Sequence, residues 1–185
     1  DLKAIETVKK TVGADVNIMV DFNQCLSLEE ALNSCRVLDQ FDLTWIEEPL
    51  IYDNLEGYSQ LTREIKTPIQ LGENFYGPRE LYKAIEKKAS DLVMPDFMRI
   101  GGVTGWIKSA AIAGAGGIPI STHFYPEVGS HVMRVSQSAH WLEWLDWADE
   151  ILLDPFNIAD GNVHIPNKPG IGIEWNEKVV NKYCI

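Results

Sequence analysis

The chain has 185 residues, 45% of them hydrophobic, which suits one domain with a buried core or a large piece of one. Its formal net charge of -11 argues against nucleic acid or an anionic membrane as a partner, while leaving room for a metal cation. The cysteines, Cys25, Cys35 and Cys184, follow no zinc or disulfide spacing, so a reducing, cytoplasmic setting is expected. No apolar run reaches the roughly 18 residues of a membrane span, and no signal-peptide pattern opens the chain.

The opening DLKAIETVKKTVG reads as a helix already under way, with Leu2, Ile5, Val8 and Val12 near helical spacing and Gly13 as its stop. With Asp1 in place of methionine, it reads as a piece of something longer. Short apolar runs then recur: VNIMVD (16–21), LTWIEEP (43–49), PIQLGE (68–73), SDLVMPD (90–96), IPISTH (118–123) and AHWLE (139–143). Their length and near-continuous apolarity predict strands buried on both faces of a parallel sheet. Helical segments alternate with them. SLEEALNSCRVLDQF opens with Ser27 and Glu30 as a capping box. LEGYSQLTREI, GPRELYKAIEKKA with Pro78 at its start, GGVTGWIKSAAIAGAGG and PEVGSHVMRVSQS follow. The Gly-, Pro- and Asn-rich tail predicts loops and short strands covering one end. The alternation as a whole predicts an α/β fold with a parallel sheet.

Each apolar run ends on a polar, reactive residue: Asp21, Glu47, Glu73, Asp96, His123 and Glu143, recurring every 20 to 27 residues. Parallel strands would deliver all six to one C-terminal edge, where β/α barrels keep their catalytic residues. Any one of these acids alone reads best as a helix cap or a solvated loop residue. Recurrence on six successive strands favours a site. Three consecutive carboxylates, Asp21, Glu47 and Glu73, would repel one another unless a cation joins them, and oxygen-only ligands favour a hard ion, Mg²⁺ or Mn²⁺. Glu48 is expected to face elsewhere, toward a basic group or a hydrogen-bond donor. Asp96 beside His123 would fix the imidazole tautomer and make His123 a candidate general base. Glu143 is a candidate proton or hydrogen-bond donor to a substrate carboxylate, a role that requires it to stay protonated. A phosphate site resting on Gly101 and Gly102 would leave the carboxylate series unexplained.

The segments VDFNQ, WIEEP, GEN, MPDFMRIGGVTGW, STHFYPEVGSH, AHWLEWLD and IPNKPGIGIEW together resemble the enolase superfamily. Within it they are most similar to the mandelate racemase subgroup of the mandelate racemase/muconate lactonizing enzyme family, over essentially the whole chain. The resemblance implies a modified (β/α) TIM-type barrel. Residues 1–185 would form a partial C-terminal barrel domain of about six of the usual eight strand–helix units. Residues 151–185 would be its closing segment, and the N-terminal capping domain would be absent. It further implies Mg²⁺, with Mn²⁺ as an alternative, on Asp21, Glu47 and Glu73, a His123–Asp96 base dyad, Glu143 as the acid, and Asn23 near a substrate hydroxyl. The implied reaction removes the α-proton of a small 2-hydroxy acid or sugar acid, as a racemase or as an acid-sugar dehydratase.

Beyond the absent cap and units, the chain departs from the family pattern at Phe124 and the loop residues after His123, which differ from those of an aromatic-substrate site, and in having no Lys-x-Lys pair. Racemisation across two faces of a substrate is therefore not expected from these residues alone. The competing expectation is a truncated, non-catalytic fragment that retains metal binding or self-association. Six strands would leave sticky open edges, so a homo-oligomer is expected.

Overall fold

The computed structural model describes residues 2–184. The first helix, α1 (Leu2–Val12), ends where Gly13 takes a φ of +90°, a conformation that favours glycine. Helix α2 (Leu28–Leu38) starts on the expected capping box: Glu30 N–H donates to Ser27 Oγ at 3.3 Å, and Ser27 N–H donates to Glu30 Oε2 at 2.9 Å. Helices α3 (Leu55–Glu64), α4 (Pro78–Glu86), α6 (Gly102–Ala115) and α7 (Pro126–Met133) fall on the other periodic segments.

Between the helices run β1 (Val20–Asp21), β2 (Ile46–Glu47), β3 (Ile69–Leu71) and β4 (Leu92–Val93), parallel and adjacent in chain order. The register sets Asp21 beside Glu47 and Glu47 beside Gln70. Because side chains alternate along a strand, these three share one face. Ile46, Ile69, Leu71 and Val93 turn the other way, into a core shared with Ala31 and Cys35 of α2, Leu61 of α3, Leu81 and Ala84 of α4, and Ala113 of α6.

The expected fifth and sixth strands continue this order as isolated parallel bridges, Val93–Ile120 and Ile120–Ala139, and not as regular ladders. Ser121 and Thr122 supply the reason. Their hydroxyls take the Trp141 N–H at 3.3 Å and the Glu143 N–H at 2.8 Å, donors that a regular ladder would direct to backbone carbonyls.

A one-turn helix, α5 (Phe97–Ile100), joins α6 through Gly101 at φ +102°. Trp106, fully buried, stacks on Phe97 with ring centroids 4.6 Å apart. The GGVTG segment thus serves this tight junction: a Cβ on Gly105 would lie 1.9 Å from the Ile100 carbonyl oxygen. The tail forms a short antiparallel pair, β5 (Asn157–Ala159) and β6 (Asn162–His164), and a last helix, α8 (Glu177–Tyr183), which the Gly- and Pro-rich composition did not announce. His131 of α7 ties the tail down through Nε2 and the Ile171 carbonyl, 3.0 Å apart. Among the described residues no helix is long and apolar enough to cross a membrane.

Candidate active site

All six strand-end residues lie on segments whose backbones are joined in one parallel series, so the expected common edge exists. Asp96 and His123 are bridge partners, and their side chains meet with Asp96 Oδ2 2.9 Å from His123 Nδ1. Asp96 has a second task. Its Oδ1 accepts the N–H groups of Met98 at 2.8 Å and Arg99 at 3.1 Å, capping α5. Asp96 thus caps α5 through one oxygen and meets His123 through the other.

Glu73 closes the other side of the imidazole, with Oε2 3.0 Å from His123 Nε2. Its Oε1 accepts from Asn74 Nδ2 at 3.0 Å and lies 3.7 Å from the Arg99 guanidinium. Burial opposes a charge on His123, but the hydrogen bonds to Glu73 and Asp96 prevail and push the ring up to about 9. The His123 contact, foremost among these neighbours, holds Glu73 below the usual carboxylate range.

Glu47 Oε2 accepts from Trp45 Nε1 at 2.9 Å and from Gln70 Nε2 at 3.0 Å. Burial pushes Glu47 upward, and the charges of Asp21 and Glu143 add to the effect. Asp21 is likewise raised by burial and then by the Glu73 charge, against the Asn23 N–H donated to its Oδ1 at 2.7 Å. Asn23, expected near a substrate hydroxyl, gives its side-chain amide to Asp21 Oδ2 at 2.5 Å. Glu143 Oε2 accepts the Phe124 N–H at 2.6 Å. Phe124 leans on His123, with centroids 4.0 Å apart, and faces Trp147 at 5.3 Å, so the imidazole has an aromatic wall on one side. Phe124 and Tyr125 hold φ near +53° and +51°, which is strained for bulky side chains.

Among the described residues no group of three His, Cys, Asp or Glu side chains is gathered closely enough to hold a metal ion. Asp21 and Glu47 are register neighbours, while Glu73 is turned to His123 and Arg99. The donor chemistry nonetheless fits a hard cation. Asp21, Glu47 and Glu73 are all oxygen donors, two of them are raised by burial, and repulsion from like charges acts on the same two. Two donors on Glu47 Oε2 leave its other oxygen for a ligand.

Glu48 faces away as expected and meets donors without a basic group: Gln24, Asn74 and the Gly72 N–H. Burial, reinforced by the Glu73 charge, pushes it up to about 7. Gln24, Asn74, Gln70, Trp45 and Arg99 were not singled out for the site. Gln24 and Asn74 stand inside VDFNQ and GEN, the segments that carry the resemblance, and that position was the available signal.

A parallel strand array with acids and an imidazole collected at its C-terminal ends defines a barrel-type α/β domain. Over residues 1–179 the chain matches the family described as Enolase C-terminal domain-like, and it belongs to that family. Among solved structures it is similar to an enolase from alpha proteobacterium bal199 with bound magnesium, at 56% identity and a TM-score of 0.95, covering 98% of this chain and 50% of that one. It is also similar to a Bradyrhizobium enolase complexed with magnesium and mandelic acid, at 44% identity and a TM-score of 0.93, covering 98% and 50%. Among characterised proteins it is 33% identical over 178 residues to L-talarate/galactarate dehydratase of Salmonella typhimurium, covering 96% of this chain and 45% of that one. The chain thus spans about half the length of the relatives it matches.

Proposed function

We propose that this chain supplies the metal-binding and proton-transfer half of an enzyme that removes the α-proton of a 2-hydroxy carboxylate or sugar acid. The observation that carries the reading is His123 held between Asp96 at 2.9 Å and Glu73 at 3.0 Å at the strand ends. Asp21, Glu47 and Glu73 would hold Mg²⁺, the ion bound in both similar enolase structures. Mg²⁺ bound there supplies the positive charge that offsets the negative charge growing on the substrate carboxylate as the α-proton leaves. Asp96 fixes the imidazole so that Nδ1–H points at a carboxylate, and Nε2, which faces Glu73 here, is the nitrogen that would exchange a proton with substrate once Glu73 turns to the cation. Glu143, anchored through one oxygen to Phe124 N–H, would donate a hydrogen bond to the substrate carboxylate from its other oxygen when protonated.

Racemisation needs a proton donor on the opposite face of the substrate. Dehydration lets Nε2–H of the same His123 protonate a departing β-hydroxyl. The test is α-proton exchange in D₂O over a panel of 2-hydroxy acids and sugar acids, comparing the protein with His123→Asn. Removal of the base is expected to lower exchange by about 10²–10⁴-fold. Exchange that survives unchanged in the variant excludes His123 as the base. Appearance of a 2-keto-3-deoxy product assigns dehydration, and loss of optical rotation assigns racemisation.

A further inference from the structure

Glu48 is 1% exposed, its backbone sits at φ +35°, and among the described residues no Lys, Arg or His is paired with it. A carboxylate buried among neutral donors costs stability relative to an apolar side chain of similar size. Stability alone therefore gives no reason for an acid at this position.

Its partners supply one. Oε2 accepts from Gln24 Nε2 at 2.5 Å and from Asn74 Nδ2 at 3.3 Å, and Oε1 accepts from Gly72 N–H at 3.2 Å. Gln24 lies on the loop after β1, and Gly72 and Asn74 lie on the loop after β3. Glu48 itself follows β2. The main chain repeats the pattern, since Gln24 N–H donates to Glu48 O at 2.7 Å and Glu48 N–H donates to Gln70 O at 3.0 Å. Each loop carries or directly follows one of the three carboxylates assigned above to the cation: Asp21, at the end of β1, precedes Gln24 by three residues, Glu47, at the end of β2, adjoins Glu48, and Glu73 stands between Gly72 and Asn74. Asn74 Nδ2 also reaches Glu73 Oε1 at 3.0 Å, so one amide joins the buried acid to a candidate ligand. The base of the clasp is fixed as well, because Tyr58, fully buried, donates its hydroxyl to Leu50 O at 2.5 Å and accepts Leu50 N–H at 3.3 Å.

We infer that Glu48 is a positioning residue, a buried clamp that locks the loops after β1, β2 and β3 together and so fixes the spacing of Asp21, Glu47 and Glu73. The inference rests on the metal-site reading above, and its test separates the two. Mg²⁺ titrated by calorimetry reads the site, and backbone amide exchange at Gln24 and Gly72 in metal-free protein reads the clamp. Glu48→Ala is expected to weaken Mg²⁺ binding by about 10–100-fold, the usual effect of losing an outer-shell partner, and to speed exchange at both amides. Glu48→Gln keeps an acceptor for Gly72 N–H but sets an NH₂ against the Gln24 and Asn74 amides, whose oxygens cannot turn to it without giving up Tyr52 N–H and Glu73 Oε1. It is expected to keep exchange at Gly72 slow and to bind Mg²⁺ with an affinity between those of the parent and Glu48→Ala. A Glu48→Ala protein that melts lower but keeps parental affinity and parental exchange overturns the clamp. So does a Glu48→Gln protein in which the Gly72 amide exchanges as fast as in Glu48→Ala, because the acceptor it keeps would then hold nothing. If the parent itself does not bind Mg²⁺, the metal reading fails and the exchange data still decide the clamp. If Glu48→Ala does not fold, Asn74→Ala removes one arm: several-fold weaker binding and faster exchange at Gly72 support the clamp, and parental values in both overturn it.

Discussion

Asp96 offers a substitution that separates two functions held by one side chain. In Asp96→Asn the Oδ1 acceptor that caps α5 is kept, while the oxygen facing His123 Nδ1 becomes an NH₂ donor. Asp96 is 4% exposed and His123 8%, so water cannot readily replace the lost contact. A hydrogen bond to a charged group contributes about 1.5–3 kcal/mol, which puts the cost of Asp96→Asn near 2 kcal/mol. Asp96→Ala also loses the two acceptor contacts to Met98 and Arg99, a further cost of about 1 kcal/mol. The expected losses are therefore about 2 and 3 kcal/mol, or falls in Tm of about 4–8 °C and 6–12 °C for a chain of this size. Urea unfolding of metal-free protein measures both. The ring is read by ¹⁵N NMR: in the parent, between two carboxylates, both nitrogens carry protons, and with an amide NH₂ facing it Nδ1 must lose its proton and accept while Nε2 keeps one. In that form Nε2 cannot accept a proton, and any α-proton exchange is expected to fall by about 10⁴-fold, as when the Asp that orients a catalytic His is replaced by Asn. Equal instability of the Asn and Ala variants, or an Nδ1 that stays protonated in Asp96→Asn, would refute this division of labour.

Two further substitutions test the frame around the site. Asp39, at the end of α2, accepts from Lys66 N–H at 3.0 Å, from Thr67 N–H at 2.8 Å and from Thr67 Oγ1 at 2.8 Å. Burial acts against its charge, yet these bonds prevail and hold it below the usual carboxylate range. A depressed folded-state value means that the stabilisation is complete above the unfolded value near 3.9 and fades as pH falls through the folded one. Asp39→Asn is therefore expected to lose about 1–2 kcal/mol at pH 7 and at pH 5, with the gap to the parent closing below about pH 4 in urea melts. Gly105→Ala drives a Cβ to 1.9 Å from the Ile100 carbonyl oxygen, a backbone atom that cannot step aside without opening the α5–α6 junction. A loss of about 3 kcal/mol or more is expected, with fluorescence reporting disturbance of the buried Trp106.

Much of this frame was legible in the sequence because it is local. The Ser27–Glu30 box and Pro78 at the start of α4 are written within a few residues of where they act. The common edge was legible too, since one reactive residue ended every apolar run. The weak pairing of 118–123 and 139–143 was not, because it depends on hydroxyls of Ser121 and Thr122 taking N–H groups about 20 residues away. The turn of Glu73 toward His123 and Arg99 is similarly remote, set by folding and not by any spacing near GEN. Glu48 stood in plain view inside WIEEP, and its orientation was anticipated. Its three partners were not, because they come from loops 24 and 26 residues away on either side.

The central claim is that Asp21, Glu47 and Glu73 act together on one hard cation. Calorimetric titration of metal-free protein with Mg²⁺, set beside the same titration of Glu47→Gln, tests it most directly. The account predicts saturable binding at one site per chain, lost in the variant while the fold is kept. Heat of binding that is the same in Glu47→Gln, or no binding by the parent at millimolar Mg²⁺, would contradict it.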